Sequence, residues 1–427
     1  MSATFNGTNG IQTNISQLET LPNKIFLVPN WLEEKLFANI VKNDYGEASK
    51  ITNFTVTPAT KPGENSSSVM FRVTIDVDLM EDGCTKTISF ILKTNHNDDS
   101  MLSLLENLML FPKEQEMYGS IIPKFESLFE EAGKCVSFAP RSYKFSQNLS
   151  LEYVLLEDIS RKNFRTANRL VGLDMTHMKH ALTKLAEFHA VSACLHERNG
   201  SYGEQFMYSI FTEKYRSILT TLNSSAMFLN HLKKWKNCSQ YAEMLADSDN
   251  CLVDRIIQAA KFNPSEFNVL NHGDFWSNNI MFQYDAFGKI KETCFIDFQL
   301  CKYGSPAYDL YYLILTSAQM NIKLSQFDYM IKYYHDNLIA NLMRLEYHRP
   351  LPKLRNLHMA LLKNGLSAYL IVSQILPAVM FDLGSISNID REDEFKLKSA
   401  MYSNFTYVKA MQEIMPWLDN RGLLDLC

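Results

Sequence analysis

Apolar residues fall at every second position through much of the first third of the chain, and at helical spacing through most of the rest. Val73, Ile75, Val77 and Leu79 alternate with Arg72, Thr74, Asp76 and Asp78, which predicts a strand with one buried face. The period-two pattern begins at Ile51. Ahead of it, Asn30 reads as the N-cap of a helix carrying Trp31, Leu32, Leu36, Phe37, Ile40 and Val41. Glu81-Asp82-Gly83 marks a hairpin turn, and Thr85 to Lys93 reads as the returning strand. A helical region is expected over about 100–132, followed by strand-like runs near 136–145 and 151–157.

Past Asp158 the pattern turns mainly helical. Met178, Ala181, Leu182, Leu185, Phe188, His189 and Ser192 form one stripe along the segment Leu173 to His196. Short strands recur only between about 268 and 298, and helices dominate from Pro306 onward. The polar, Asn- and Thr-rich residues 1–25 read as a loosely ordered arm. The expected class is α+β: a small antiparallel β-rich lobe over 26–158 and a large, mainly helical lobe over 159–427.

Composition changes this picture by exclusion. A net charge of −5 and no basic run denser than Lys233, Lys234 and Lys236 argue against a nucleic-acid partner. The eight cysteines are scattered without a Cys-x-x-Cys pair or a Cys/His cluster, so neither a disulfide framework nor structural zinc is indicated. The longest apolar stretch, Ala368 to Phe381, is broken by Ser373, Gln374 and Pro377 and is too short to span a bilayer. The N-terminus lacks a signal-peptide pattern. The expectation is a cytoplasmic protein with reduced thiols and no membrane insertion.

The chemistry concentrates in Asn271-His-Gly-Asp-Phe-Trp-Ser-Asn-Asn279 and in Cys294-Phe-Ile-Asp-Phe-Gln299. Phosphoryl transfer needs a group to take the attacking hydroxyl's proton and hard oxygen ligands for Mg²⁺. Asp274 suits the base, and Asn279 and Asp297 suit the metal. Taken singly, each also fits a polar turn or a helix cap; their order and spacing together favour a kinase site.

On these motifs the chain resembles the ecdysteroid kinase-like family, within the choline and aminoglycoside phosphotransferases that share the protein-kinase-like fold. Further carriers of the resemblance are Gly63 to Ser68, Phe90-Ile-Leu-Lys93, Leu155-Leu-Glu-Asp158, Lys184 to Ala190 and Ser305 to Leu310. The resemblance implies a bilobal fold, with ATP and Mg²⁺ as cofactors and a small-molecule alcohol as acceptor. It implies that Lys93 contacts the α- and β-phosphates and that Glu114, rather than Glu116, holds it. Glu157 and Ile159 are implied to meet adenine through their main chains. Asn65, Ser66, Ser67 and Ser68 lie where a loop folds over the phosphates, and their N–H groups or hydroxyls suit phosphate oxygens. The segment holds only Gly63, unlike the three-glycine loop of protein kinases. Asp309 is expected to brace the catalytic loop, and His189 to be a core histidine or one that supports the site from behind.

The acceptor is the open question. Methionines and aromatics such as Phe206, Phe211, Phe228, Tyr369, Tyr402 and Phe405 either line an apolar pocket for an ecdysteroid or similar hydrophobic alcohol, or are core. Two other readings stand beside an ecdysteroid-type kinase. One is a choline- or aminoglycoside-type kinase, and the other a catalytically silent kinase-like protein that binds a hydrophobic ligand.

Overall fold

The computed structural model describes residues 28–59, 68–79, 83–94, 109–149, 151–207, 211–223, 225–249, 251–382, 384 and 394–425. The expected arm over 1–25, the loop residues Gly63, Asn65, Ser66 and Ser67, and the hairpin residues Glu81 and Asp82 lie outside them.

Five antiparallel strands form the small lobe: β1 (Lys50–Pro58), β2 (Val69–Leu79), β3 (Cys84–Thr94), β4 (Ser142–Tyr143) and β5 (Tyr153–Glu157), in the order β1-β2-β3-β5-β4. The alternation seen in sequence is realised: Val73, Ile75 and Val77 of β2 are fully buried. They pack with Phe90 and Leu92 of β3, with Val41 of helix α1 (Ala38–Tyr45) and with Phe37 just before it. Asn30 does not cap that helix. The chain first makes a 3₁₀ turn over Glu34–Leu36, and α1 starts at Ala38. The run expected over 136–145 contributes only the two residues of β4. Pro140 has no N–H for a ladder, and Phe138 instead buries its ring among Phe125, Phe129 and Phe188.

The expected helix before β4 is described from Leu110. It runs as α2 (Leu110–Glu116), a π-helical stretch over Met117–Ile121, and α3 (Ile122–Glu131). Its apolar residues Phe111, Met117, Phe125 and Phe129 join the core of the large lobe, not that of the sheet. The helix therefore presents Glu114 to Lys93 of β3 and Gln115 to the Tyr153 carbonyl of β5 while anchored from below.

Behind β5, a 3₁₀ turn (Ile159–Lys162) leads to β6 (Phe164–Thr166) and to the long α4 (Met175–Asn199), capped by Asp174. Two small antiparallel sheets follow: β7 (Val269–Asn271) with β10 (Lys302–Gly304), and β8 (Ile280–Tyr284) between β6 and β9 (Ile290–Phe295). Strands β6 and β10 lie outside the expected 268–298 window. Each has three residues, too few to display a period. Helices α5 (Ala307–Ser317) and α6 (Phe327–Arg344) pack beneath, so the molecule is an α+β fold with a small β-rich lobe and a larger, mainly helical one.

Among the candidate pocket residues, Phe206, Phe228, Tyr369 and Tyr402 are core, while Phe405 is exposed. No single helix among the described residues is long and apolar enough to cross a membrane.

One buried charge bears on stability. Lys323, 2% exposed, donates to the Leu315 carbonyl at 2.6 Å in the last turn of α5. Burial lowers it to about 7, with no carboxylate to oppose the effect. The unfolded chain keeps this proton up to the ordinary lysine range, so between the two values the unfolded state binds more protons and stability rises with pH. Lys323→Met removes that rise. The variant's melting temperature relative to wild type is expected to be most favourable below pH 7 and to decline steadily towards pH 10. A pH-independent difference in thermal melts would contradict this.

Candidate active site

Four separate stretches converge where the lobes meet. Lys93, next to last in β3, is 6% exposed and points into the cleft. Its ammonium donates to Glu114 Oε2 of α2 at 2.7 Å and to Asp297 Oδ1, beyond β9, at 2.6 Å. Gln299 adds a longer contact, accepting from Lys93 at 3.4 Å. Burial alone would lower Lys93, but the charges of Asp297 and Glu114 outweigh it and hold the ammonium above its ordinary range. Glu114 is 1% exposed, and burial pushes it up to about 7 against the pull of Lys93. Glu116 faces elsewhere, accepting from Gln205.

Asp297 adopts the left-handed conformation with φ of 69°, which an aspartate tolerates better than most residues. This turn swings its side chain from the end of β9 towards Lys93 and leaves it 29% exposed. Its backbone N–H donates to the Tyr118 hydroxyl at 3.2 Å, so the helix that carries Glu114 also holds the Asp297 turn.

The loop after β7 is fixed from several directions. His272 Nε2 donates to the Ile296 carbonyl at 3.0 Å, and its ring packs against Phe298 at 4.9 Å. Because a carbonyl only accepts, the ring proton sits on Nε2 and Nδ1 is free to accept from Asp274 N–H at 3.4 Å. Gly273 has φ of +84°, and a Cβ there would lie 2.1 Å from the Leu300 carbonyl oxygen; no side chain fits without moving backbone. Asp309, fully buried near the start of α5, accepts from the N–H groups of His272 at 2.6 Å and Gly273 at 3.0 Å. His189 of α4 holds Asp309 at 3.1 Å and is held in turn by the Tyr334 hydroxyl of α6 at 2.7 Å. The expected brace and the expected core histidine are thus one chain of contacts.

Asp274 itself accepts twice: Oδ2 from Asn279 Nδ2 at 2.9 Å, and Oδ1 from the Tyr312 hydroxyl at 2.6 Å. Burial and the nearby Asp297 charge raise it above the ordinary aspartate value, against the hydrogen bonds from Tyr312 and Asn279. Since Nδ2 of Asn279 is spent on Asp274, the amide oxygen is the atom it has for a cation. Asn279 and Asp297 are both hard oxygen donors, as Mg²⁺ requires. Among the described residues no group of three or more His, Cys, Asp or Glu side chains is arranged as a metal cage. One carboxylate and one amide fit an ion that arrives with phosphates and completes its shell from them.

Ser68, 4% exposed, immediately precedes β2. At the connector, Glu157 N–H donates to the Arg141 carbonyl at 2.8 Å, and the Ile159 carbonyl accepts from Asn163 within its own turn. Asp158 ties the connector to the sheet, accepting from Arg72 and Ser89 at 2.8 Å each and from Ser160 N–H at 3.2 Å.

The sequence model of the ecdysteroid kinase-like family matches residues 62–347, about two thirds of the chain and every side chain gathered at the cleft. The chain belongs to the ecdysteroid kinase-like family. No curated protein matches it. Among solved structures, amicoumacin kinase hAmiN in complex with AMP-PNP, Ca²⁺ and Ami aligns over 90% of this ecdysteroid kinase-like chain and 94% of its own, at 13% identity and a TM-score of 0.38. That likeness is too loose to carry an argument about the site. Two members of this ecdysteroid kinase-like site escaped sequence reasoning, Tyr118 and Tyr312. Helical spacing held a signal for both: Tyr118 follows Glu114 by four residues and Tyr312 follows Asp309 by three, each on the same helix face.

Proposed function

We propose that the protein transfers the γ-phosphoryl group of ATP to a hydroxyl of a bulky, largely apolar small molecule, an ecdysteroid or a similar alcohol, with Mg²⁺ as the cation. Family membership supports a small-molecule phosphotransferase. The observation that carries the phosphoryl-transfer reading is the convergence on one cleft of Lys93, Glu114 and Asp297 with the Asp274–Asn279 pair.

Each side chain then has a role. Lys93 exchanges its contact with Asp297 for the α- and β-phosphate oxygens, while Glu114 keeps it in the cleft. Ser68 and the preceding Asn65, Ser66 and Ser67 cover the phosphates, and Glu157 C=O and Ile159 N–H meet the adenine edge. Asn279 Oδ1 and Asp297 would hold Mg²⁺, which when bound neutralises charge between the β- and γ-phosphates. Asp274 accepts a hydrogen bond from the acceptor hydroxyl and takes its proton as the new O–P bond forms. The bond from the γ-phosphorus to the bridging oxygen breaks, and ADP leaves. The proton sits on Asp274 until solvent removes it.

The experiment is a transfer screen with ATP and Mg²⁺ against hydroxylated steroids, plant alcohols and cationic amino alcohols, read by mass spectrometry for products heavier by one phosphate. Phosphorylated steroids or plant alcohols are the expected result. Products only from cationic acceptors would reassign the chain to choline- or aminoglycoside-type chemistry, and no product from any acceptor would remove the kinase reading.

A further inference from the structure

Helix α5 meets the Asp274 loop at three heights. Asp309 takes the N–H groups of His272 and Gly273, and the Ser317 hydroxyl accepts from Ser277 N–H at 2.9 Å. Both of these contacts hold backbone. Between them, Tyr312 alone on this helix reaches the reactive carboxylate, with its hydroxyl 2.6 Å from Asp274 Oδ1. The ring is 6% exposed and meets Tyr308 edge-on at a centroid distance of 5.9 Å, so the phenol has little freedom to swing. Burial and the charge of Asp274 push the Tyr312 phenol well above its ordinary value, so it keeps its proton and donates.

The consequence is geometric. Asn279 grips one carboxylate oxygen from within the same loop, five residues away. A carboxylate held at one oxygen still turns about that contact, whereas held at both its plane is set. We propose that Tyr312 is a positioning residue: by holding Oδ1 it fixes the plane of the Asp274 carboxylate, and so aims its remaining lone pairs at the acceptor hydroxyl. The role rests on the phosphoryl-transfer reading above. Because Asp309 and Ser317 secure the loop backbone independently, losing the hydroxyl disturbs the aim of one side chain and not the path of the loop.

The test compares Tyr312→Phe with Tyr311→Phe. Tyr311 is the adjacent residue of the same helix, and its buried hydroxyl donates at 2.9 Å to the Leu361 carbonyl instead of to the loop. Steady-state kinetics use ATP, Mg²⁺ and the hydroxylated steroid that wild type turns over fastest. Tyr312→Phe is expected to lower kcat about 10–100-fold, the scale of a small misplacement of a reacting group. KM for ATP and for the steroid should stay within about twofold. Tyr311→Phe is expected to lower the melting temperature while keeping kcat. Three results overturn the proposal: Tyr312→Phe as fast as wild type, a rise in both KM values in place of the fall in kcat, or an equal kcat loss in Tyr311→Phe. A wild-type protein that phosphorylates no alcohol removes the transfer reading and this inference with it; in the other cases the transfer reading stands.

Discussion

Asp274→Asn is expected to abolish most phosphoryl transfer while leaving nucleotide binding intact. General-base assistance is worth about 10²–10⁴ in rate, so kcat should fall by at least that range. The fold should tolerate the change. An asparagine at 274 still offers one oxygen to Asn279 Nδ2, and its amino group turns to Tyr312, whose hydroxyl then accepts instead of donating. The backbone clamp from Asp309 on His272 and Gly273 is untouched. Asp274 has no contact with Lys93, so AMP-PNP affinity, measured by calorimetry in the presence of Mg²⁺, should change by less than about threefold. A variant that keeps more than a tenth of wild-type kcat would show that Asp274 is not the base. A variant that loses the nucleotide as well would place it among the phosphate contacts.

Lys93→Met is expected to have the largest combined effect on stability and activity. The wild-type ammonium stands between Glu114, 1% exposed, and the partly exposed Asp297. Removing one partner of a buried ion pair costs about 3–5 kcal/mol because the remaining charge has no counterpart. Asp297 can be solvated, whereas Glu114 cannot. With the ammonium gone, Glu114 loses the cation that opposes its upward shift, so it escapes by taking a proton. The double variant Lys93→Met/Glu114→Gln supplies a neutral partner from the start. It is expected to recover more than half of the lost melting temperature and none of the transfer activity. Thermal melts and single-turnover assays on the three proteins read both quantities. A double variant as unstable as the single one would mean that Lys93 stabilises through packing and not charge. Transfer activity retained in either variant would exclude Lys93 from the phosphate site.

Much of the architecture is legible in the sequence because it is local. Alternation from Ile51 to Lys93 writes the three long strands directly, since side chains of a strand point to opposite faces residue by residue. The stripe on α4 is equally local, whereas its Asp174 cap was not read from the sequence. Weak elements are not legible this way. Strands β6 and β10 are three residues long and exist because a neighbouring strand offers a ladder, and the run through Phe138 loses its strand because packing of one ring outweighs β propensity.

The site divides along the same line. The sequence by itself determined which groups are available: the Asp274–Asn279 spacing, Asp297 at the end of β9, Lys93 at the end of β3, and a helix offering both Glu114 and Glu116. The tertiary structure brings Glu114, the carboxylate the resemblance implied, onto Lys93, and it alone decided that Asp297 turns left-handed to join them across 204 positions and that Tyr312 reaches Asp274 across 38. The physical reason is that covalent spacing constrains a residue's neighbours for only a turn or a hairpin. Beyond that distance the meeting of two side chains depends on how the buried faces of whole helices and sheets settle against one another.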